Sequence, residues 1–199
     1  MKELLFVIPI VLLTSLPLAA QDVPAVEIFG GYSLISNEGI NLNGFSAAVE
    51  GNLNRHFGIV GEFNYGRKAG WKSVQEAFDY SINATFNGFL FMGGPRFSYR
   101  MKRARAFGHF LAGAYRLNTS YNQLNRGVSS SGVTSSTKFS MAIGGGIDIV
   151  LTDRISVRPV QLDWLNVRYG RNDQYSDSST RWDGMVRYSA GIVFKLGKK

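Results

Sequence analysis

The stretch KFSMAIGGGIDIVLTDRISVRPVQLDWL, Lys138 to Leu165, decides the fold. Phe139, Met141, Ile143, Ile147, Ile149 and Leu151 keep to every second position, with Ser140, Ala142, Gly144, Gly146 and Asp148 between them. A period of two is that of a β-strand with one apolar face and one small or polar face. The pattern breaks at Thr152-Asp153-Arg154 and a second strand follows. Pro159 falls inside that strand, and because proline cannot donate to a ladder, a bulge is expected there.

Six further segments read as strands. Val26–Ile35, Gly44–Asn54 and Phe57–Gly66 alternate cleanly. Tyr80–Tyr99 is long: Phe89, Phe91 and Phe97 share one phase and Ile82 and Phe86 the other, which a bulge near Asn87 and Gly88 would reconcile. Ala106–Tyr115 has an ambiguous phase, and Gly184–Gly197 alternates again.

The eight strands are joined by short and long connections in turn. Arg55-His56, RMKRAR and TDR are tight. SNEGINLN, RKAGWKSVQEAFD, the serine-rich stretch from Asn118 to Thr137 and the stretch from Arg168 to Asp183 are long. A transmembrane barrel sorts its connections in this way, whereas a Greek-key sandwich has no reason to. The expected fold is therefore all-β: an eight-stranded antiparallel up-and-down transmembrane barrel. An eight-stranded barrel has an interior only just filled by side chains, and this explains the Gly, Ala, Ser and Asn on the inward faces.

Composition agrees with this reading. The 199 residues include 23 Gly, 5 Pro and 13% aromatics, a mix suited to strands and turns. Mean hydropathy is only -0.04, the value alternating lipid-facing and polar residues produce. The absence of cysteine excludes a disulfide scaffold and a thiol nucleophile. The net charge of +8 is spread over turns without an aromatic-interleaved groove, so nucleic acid is not an expected partner.

MKELLFVIPIVLLTSLPLAAQD has a lysine, an apolar run from Leu4 to Leu13 and small residues before Gln21. It reads as a signal peptide over residues 1–20, leaving 21–199 as the barrel domain of a bacterial outer-membrane protein.

With the apolar faces turned to lipid, Glu27, Glu50, Glu62, Arg96, Asp148, Arg158, Asp163, Arg187 and Lys195 face the lumen. Unpaired charge there is costly, so a paired network that plugs the interior is expected, with Glu27 beside Lys195 where strands one and eight meet. Tyr32, Tyr65, Tyr99, Tyr115, Trp164 and Tyr188 suit interfacial girdles. The basic run Arg100-Met-Lys-Arg-Ala-Arg105 reads as a solvated turn near headgroups, or as a dock for an acidic partner.

The chain resembles the small outer-membrane barrels of the OmpA-like and OmpX-like kind. The resemblance is carried most specifically by Gly144–Leu165 and by GGPRFSYR, Gly93–Arg100. Ser189, Gly191, Phe194 and Leu196 look like the C-terminal assembly signal of such barrels, although Gly197-Lys198-Lys199 follow it. The resemblance implies recognition by the barrel-assembly machinery. It covers Val26 to Leu196, with no counterpart of the archetype's peptidoglycan-binding domain, so that function is not expected here.

No catalytic motif stands out. Neither His56 nor His109 lies in a Gly-x-Ser-x-Gly elbow or a zinc-binding His-Glu-x-x-His, and Gly144-Gly145-Gly146 is not followed by Gly-Lys-Ser/Thr. No enzyme activity, cofactor or metal is expected. The expected role is structural or surface-interacting, through long external loops whose ligand the sequence does not name, in a monomer among outer-membrane lipids. The alternatives are a narrow gated ion pathway and an outer-leaflet lipid-modifying enzyme.

Overall fold

The computed structural model describes residues 23–37, 40–75, 80–125, 128–169 and 181–198. The segment 1–20 and the loop from Asn172 to Thr180 lie outside them. Eight strands follow in order: β1 Pro24–Asn37, β2 Ile40–Asn52, β3 Phe57–Gln75, β4 Tyr80–Arg100, β5 Ala104–Asn125, β6 Val128–Val150, β7 Ile155–Tyr169 and β8 Arg181–Lys198. Each pairs antiparallel with its chain neighbours, and β1 pairs with β8, so the sheet closes into a barrel.

Alternation sets what each face meets. The outer face is a belt of exposed large apolar side chains, among them Phe45, Phe91, Phe110, Ile143 at 62% and Trp164 at 58% exposure. A continuous belt of this kind suits hydrocarbon, not water. Closure gives every barrel strand two partners, which hydrocarbon demands because it offers none.

The tight turns all lie at one rim, over 53–56, 101–103 and 151–154. Local chemistry shapes them. The Asn54 side-chain oxygen accepts from the backbone N–H groups of His56 and Phe57, both at 2.8 Å. Thr152 Oγ1 accepts from Arg154 and Ile155 N–H at 3.3 and 3.0 Å. Short polar side chains that bond to nearby backbone favour such turns.

At the opposite rim the structure departs from the sequence reading. The serine-rich stretch is strand, not loop: β5 and β6 stay paired from Ala104 and Ile149 out to Asn125 and Val128. These strands have 22 and 23 residues against 13 in β2, so a β-ribbon stands beyond the barrel. Both of its faces meet solvent, so the sequence there carries no apolar alternation to signal a strand. SNEGINLN is likewise mostly strand, with Ser36 opposite Asn41 and Asn37 opposite Ile40.

β4 has no bulge near Asn87. Its even positions point inward throughout, from Ala84 and Leu90 to Arg96 and Ser98. Phe86 packs against the interior cluster, and its phase opposes that of Phe89 because the lumen is apolar at that level. The slip lies in β3, between Lys68 and Trp71, where Gly70 has φ of 68°. In β7 the ladder to β8 slips between Arg158 and Gln161, around Pro159. Tyr115 is no girdle residue: it points inward and is 3% exposed.

The lumen has two halves. Towards the tight-turn rim it is ionic. Towards the ribbon it is filled by Leu42, Leu90, Leu111, Tyr115, Leu165, Val167 and Met185, all buried in one cluster. The lumen is thus not polar throughout: large apolar side chains fill much of the ribbon-side half, beside the buried Asn64 and Ser140. They can do so because Gly66 and Gly88 present no side chains there; a Cβ on Gly66 would meet Leu42, and one on Gly88 would meet Leu42 and Tyr115.

The closing seam needs glycine. Gly31 and Gly191 are register partners, and a Cβ on Gly191 would strike the Gly30 carbonyl. Gly191→Val should destabilise closure by about 1–3 kcal/mol or more. Gly61→Ala, whose added Cβ meets nothing within 4 Å, should fold as the parent does. Gel mobility in detergent before and after boiling measures this: the heat-shifted fraction should fall for the first variant alone.

Candidate functional site

The ionic half of the lumen is built in two connected layers. In the layer at the tight-turn rim, Glu27 of β1 accepts from Arg105 of β5 and pairs with Arg100 of β4 at 2.8 Å. Asn52 bridges them, donating to Glu27 at 3.2 Å and accepting from Arg100 at 2.8 Å. Glu50 of β2 accepts from Arg96 at 3.0 Å and Arg105 at 2.5 Å. Asp148 of β6 takes a two-pronged donation from Arg158 of β7, at 2.6 Å to Oδ1 and 3.1 Å to Oδ2.

The deeper layer centres on Arg187 of β8. It forms an ion pair with Glu62 of β3 and donates, through Nε and Nη2, to Asp163 of β7 at 3.0 and 2.6 Å. Asn64 donates to Glu62 at 2.9 Å and Gln161 to Asp163 at 2.9 Å. Two side chains join the layers. Gln161 accepts from Arg158 at 2.7 Å. His109 stands between Arg96, 3.0 Å from Nδ1, and Asp163, 2.6 Å from Nε2. Arginine can only donate, so Nδ1 must offer its lone pair and the ring proton lies on Nε2, facing Asp163.

Five carboxylates (Glu27, Glu50, Glu62, Asp148, Asp163) thus meet five guanidiniums (Arg96, Arg100, Arg105, Arg158, Arg187) among the described residues. All are buried except Arg100, at 14% side-chain exposure. Balance of this kind is what a narrow interior requires, since an uncompensated buried charge costs several kcal/mol. Aromatic faces support the cations. The Phe107 ring centre lies 4.3 Å from both the Arg96 and the Arg158 guanidinium carbons, and Phe29 lies 4.5 Å from that of Arg158. Desolvated contacts of this type contribute about 2 kcal/mol each.

Lys195 stands apart from this set. It is the register partner of Glu27 and is half-buried at the rim, while Arg100 and Arg105 take the Glu27 carboxylate. The basic run is also split: Arg100 and Arg105 turn into the lumen, and only Lys102 and Arg103 remain exposed at the turn. Arg105, His109 and Phe107 were missed in the sequence because the phase of β5 was ambiguous. Its odd positions, Arg105 to Leu111, are the inward ones. One signal could have fixed it: Phe110, on the other phase, falls in step with the outward aromatics of the neighbouring strands.

The histidines are not placed for hydrolysis. Both His109 ring nitrogens are occupied, neither by a hydroxyl. His56 stacks on Phe97 at 5.9 Å, and its Nδ1 donates to the Ser98 carbonyl at 3.2 Å. Of the four residues expected to form an assembly signal, Ser189 is buried and Gly191 lies at the seam, while Phe194 and Leu196 face outward at 48% and 50% exposure.

No protein-family model and no curated protein matches the chain. Solved structures do. The outer membrane protein OprG from Pseudomonas aeruginosa is 9% identical at a TM-score of 0.52, with 89% of this chain and 98% of that one covered. Ail, the attachment invasion locus protein of Yersinia pestis, in complex with the heparin analogue sucrose octasulfate, is 18% identical at a TM-score of 0.51, covering 86% and 96%. At such identities the likeness is one of fold: the chain has the eight-stranded barrel fold of these outer-membrane proteins.

The ion network is testable through the arginine at its deeper centre. Arg187→Ala leaves Glu62 and Asp163 without their shared cation and should cost about 3–5 kcal/mol. Adding Glu62→Gln and Asp163→Asn should restore at least half of that loss. Urea unfolding midpoints in lipid vesicles measure both effects.

Proposed function

We propose that this protein is a bacterial outer-membrane barrel that acts at its rims and does not conduct through its lumen. In this reading residues 1–20 are a signal peptide removed on export. Residues 21–199 enter the outer membrane as a monomer, and Ser189, Gly191, Phe194 and Leu196 serve recognition by the barrel-assembly machinery. The outward apolar belt and the closed ring support the membrane setting.

One observation carries the functional reading. The cluster of Leu90, Leu111, Leu165, Val167 and Met185 fills the ribbon-side half of the lumen above the ion network. Ions crossing it would meet mainly apolar side chains, with Asn64 opposite Leu90 and Ser140 opposite Val167 as the polar groups at that level, and would shed water at a cost of several kcal/mol. What remains available for interaction is the external ribbon. It bears a cleft of about 630 Å³ lined by the polar residues Lys72, Ser81, Asn83, Asn122, Gln123 and Ser129 to Ser131 together with Val74, Ile82 and Leu124. Hydroxyls, amides and one cation beside a few apolar side chains suit a surface ligand with hydroxyl groups and apolar ring faces, and projecting segments on rigid scaffolds are where binding function resides. Ail, of the same fold, binds a heparin analogue.

Planar-bilayer recording should show no channel events for the parent at any voltage. Steady openings would revive the gated-pathway reading. Replacing 118–135 by a two-residue Asn-Gly turn should leave the heat-shifted band intact and abolish binding of expressing cells to immobilised glycans. Equal binding by both would remove the ribbon from the proposal.

A further inference from the structure

The tight-turn rim surrounds an open vestibule of about 950 Å³ in the mouth of the barrel. Arg55, Arg100, Lys102, Arg105, Arg154 and Lys195 line it, against Asp148 and Asp153. The cations come from every tight turn as well as from the strand ends: Arg55 from the first, Lys102 from the second, Arg154 from the third. The inner ones are committed to lumen carboxylates, but the turn residues Arg55, Lys102 and Arg154 are exposed. At the floor, Ser156 is fully buried and its hydroxyl has no hydrogen-bond partner. Above it, Arg100 Nε also lacks a hydrogen-bond partner. Unsatisfied polar groups at the base of a cationic mouth await an acceptor.

From this arrangement we infer that the vestibule is a docking site for an acidic peptide segment of a periplasmic partner. The floor of the vestibule belongs to the lumen, where Arg105, Asp148 and Ser156 are buried, while Leu196 at its edge faces outward. None of its lining residues is aromatic, so no ring is available for a nucleobase to stack on. Val23, Pro24, Met101 and Val150 lie among the charges, and that mixture matches a chain of carboxylates interspersed with apolar side chains better than a bare polyphosphate. Guanidiniums take carboxylates through paired parallel hydrogen bonds, which confers orientation as well as attraction. This inference goes beyond the surface role proposed above and shares with it only the orientation of the barrel.

The experiment uses the folded protein in neutral detergent micelles and a fluorescein-labelled dodecapeptide alternating Glu with Leu, with a Lys-Leu peptide as control. Fluorescence anisotropy at low salt should show saturable binding of the first alone, weakening steeply as salt is added. The double variant Arg55→Glu/Arg154→Glu alters exposed turn positions and should keep its heat-shifted band while losing affinity at least tenfold. Ser156→Ala should weaken binding without affecting the band. Equal affinity of parent and double variant, or no binding by the parent, overturns the inference. So does a result in which the double variant differs from the parent only in nanodiscs of phosphatidylglycerol, because the turn cations would then serve lipid headgroups. None of these measurements depends on conductance or on the ribbon.

Discussion

Closure of β1 against β8 is the constraint from which the rest of the molecule follows. A strand edge in hydrocarbon leaves backbone groups with no partner, so the sheet must come round on itself. Eight strands close into a narrow ring. At the seam, Gly31 faces Gly191 because the backbones there leave no room for a Cβ. Every inward side chain then competes for a fixed small volume, and every outward one is handed to lipid.

Within that volume the two kinds of filling solve different problems. The apolar cluster on the ribbon side fills lumen volume with side chains that need no polar partner. The ionic half holds five carboxylates and five guanidiniums drawn from all eight strands, β4 and β7 supplying two each, so that removing either sign strands the other. Phe107 lies against three guanidiniums, and His109 ties the two layers through a lone pair on one nitrogen and a proton on the other. A pairing scheme that crosses the ring in this way fixes strands that do not touch one another in the sheet, such as β1 with β5 and β3 with β8.

The two rims differ for reasons of length. Strands three to six outrun the barrel on one side and form a ribbon whose backbone is satisfied by its own ladder. On the other side, turns of three or four residues keep their cations close to the mouth. Leu90, Leu111 and Leu165 lie buried in the lumen between them. The two rims therefore present different surfaces, one projecting as a ribbon, the other cationic and concave.

Alternation by itself determined strand number, the outward face and the inward phase of residues such as Glu62 and Arg187, because a period of two leaves a side chain only two directions. It also marked Pro159 as a place where the ladder must slip. It placed Glu27 beside Lys195, its register partner, but not the cross-lumen pairs of Glu27 with Arg100 and Arg105, since contacts across a lumen depend on stagger and side-chain reach. Nor could it read the serine-rich ribbon, where both faces are wet and no pattern is imposed, or the inward turn of Phe86 and Tyr115, where apolar side chains fill much of the lumen. Apolar character names a strand's oily neighbours; only the closed ring decides whether those neighbours are acyl chains or the other side of the barrel.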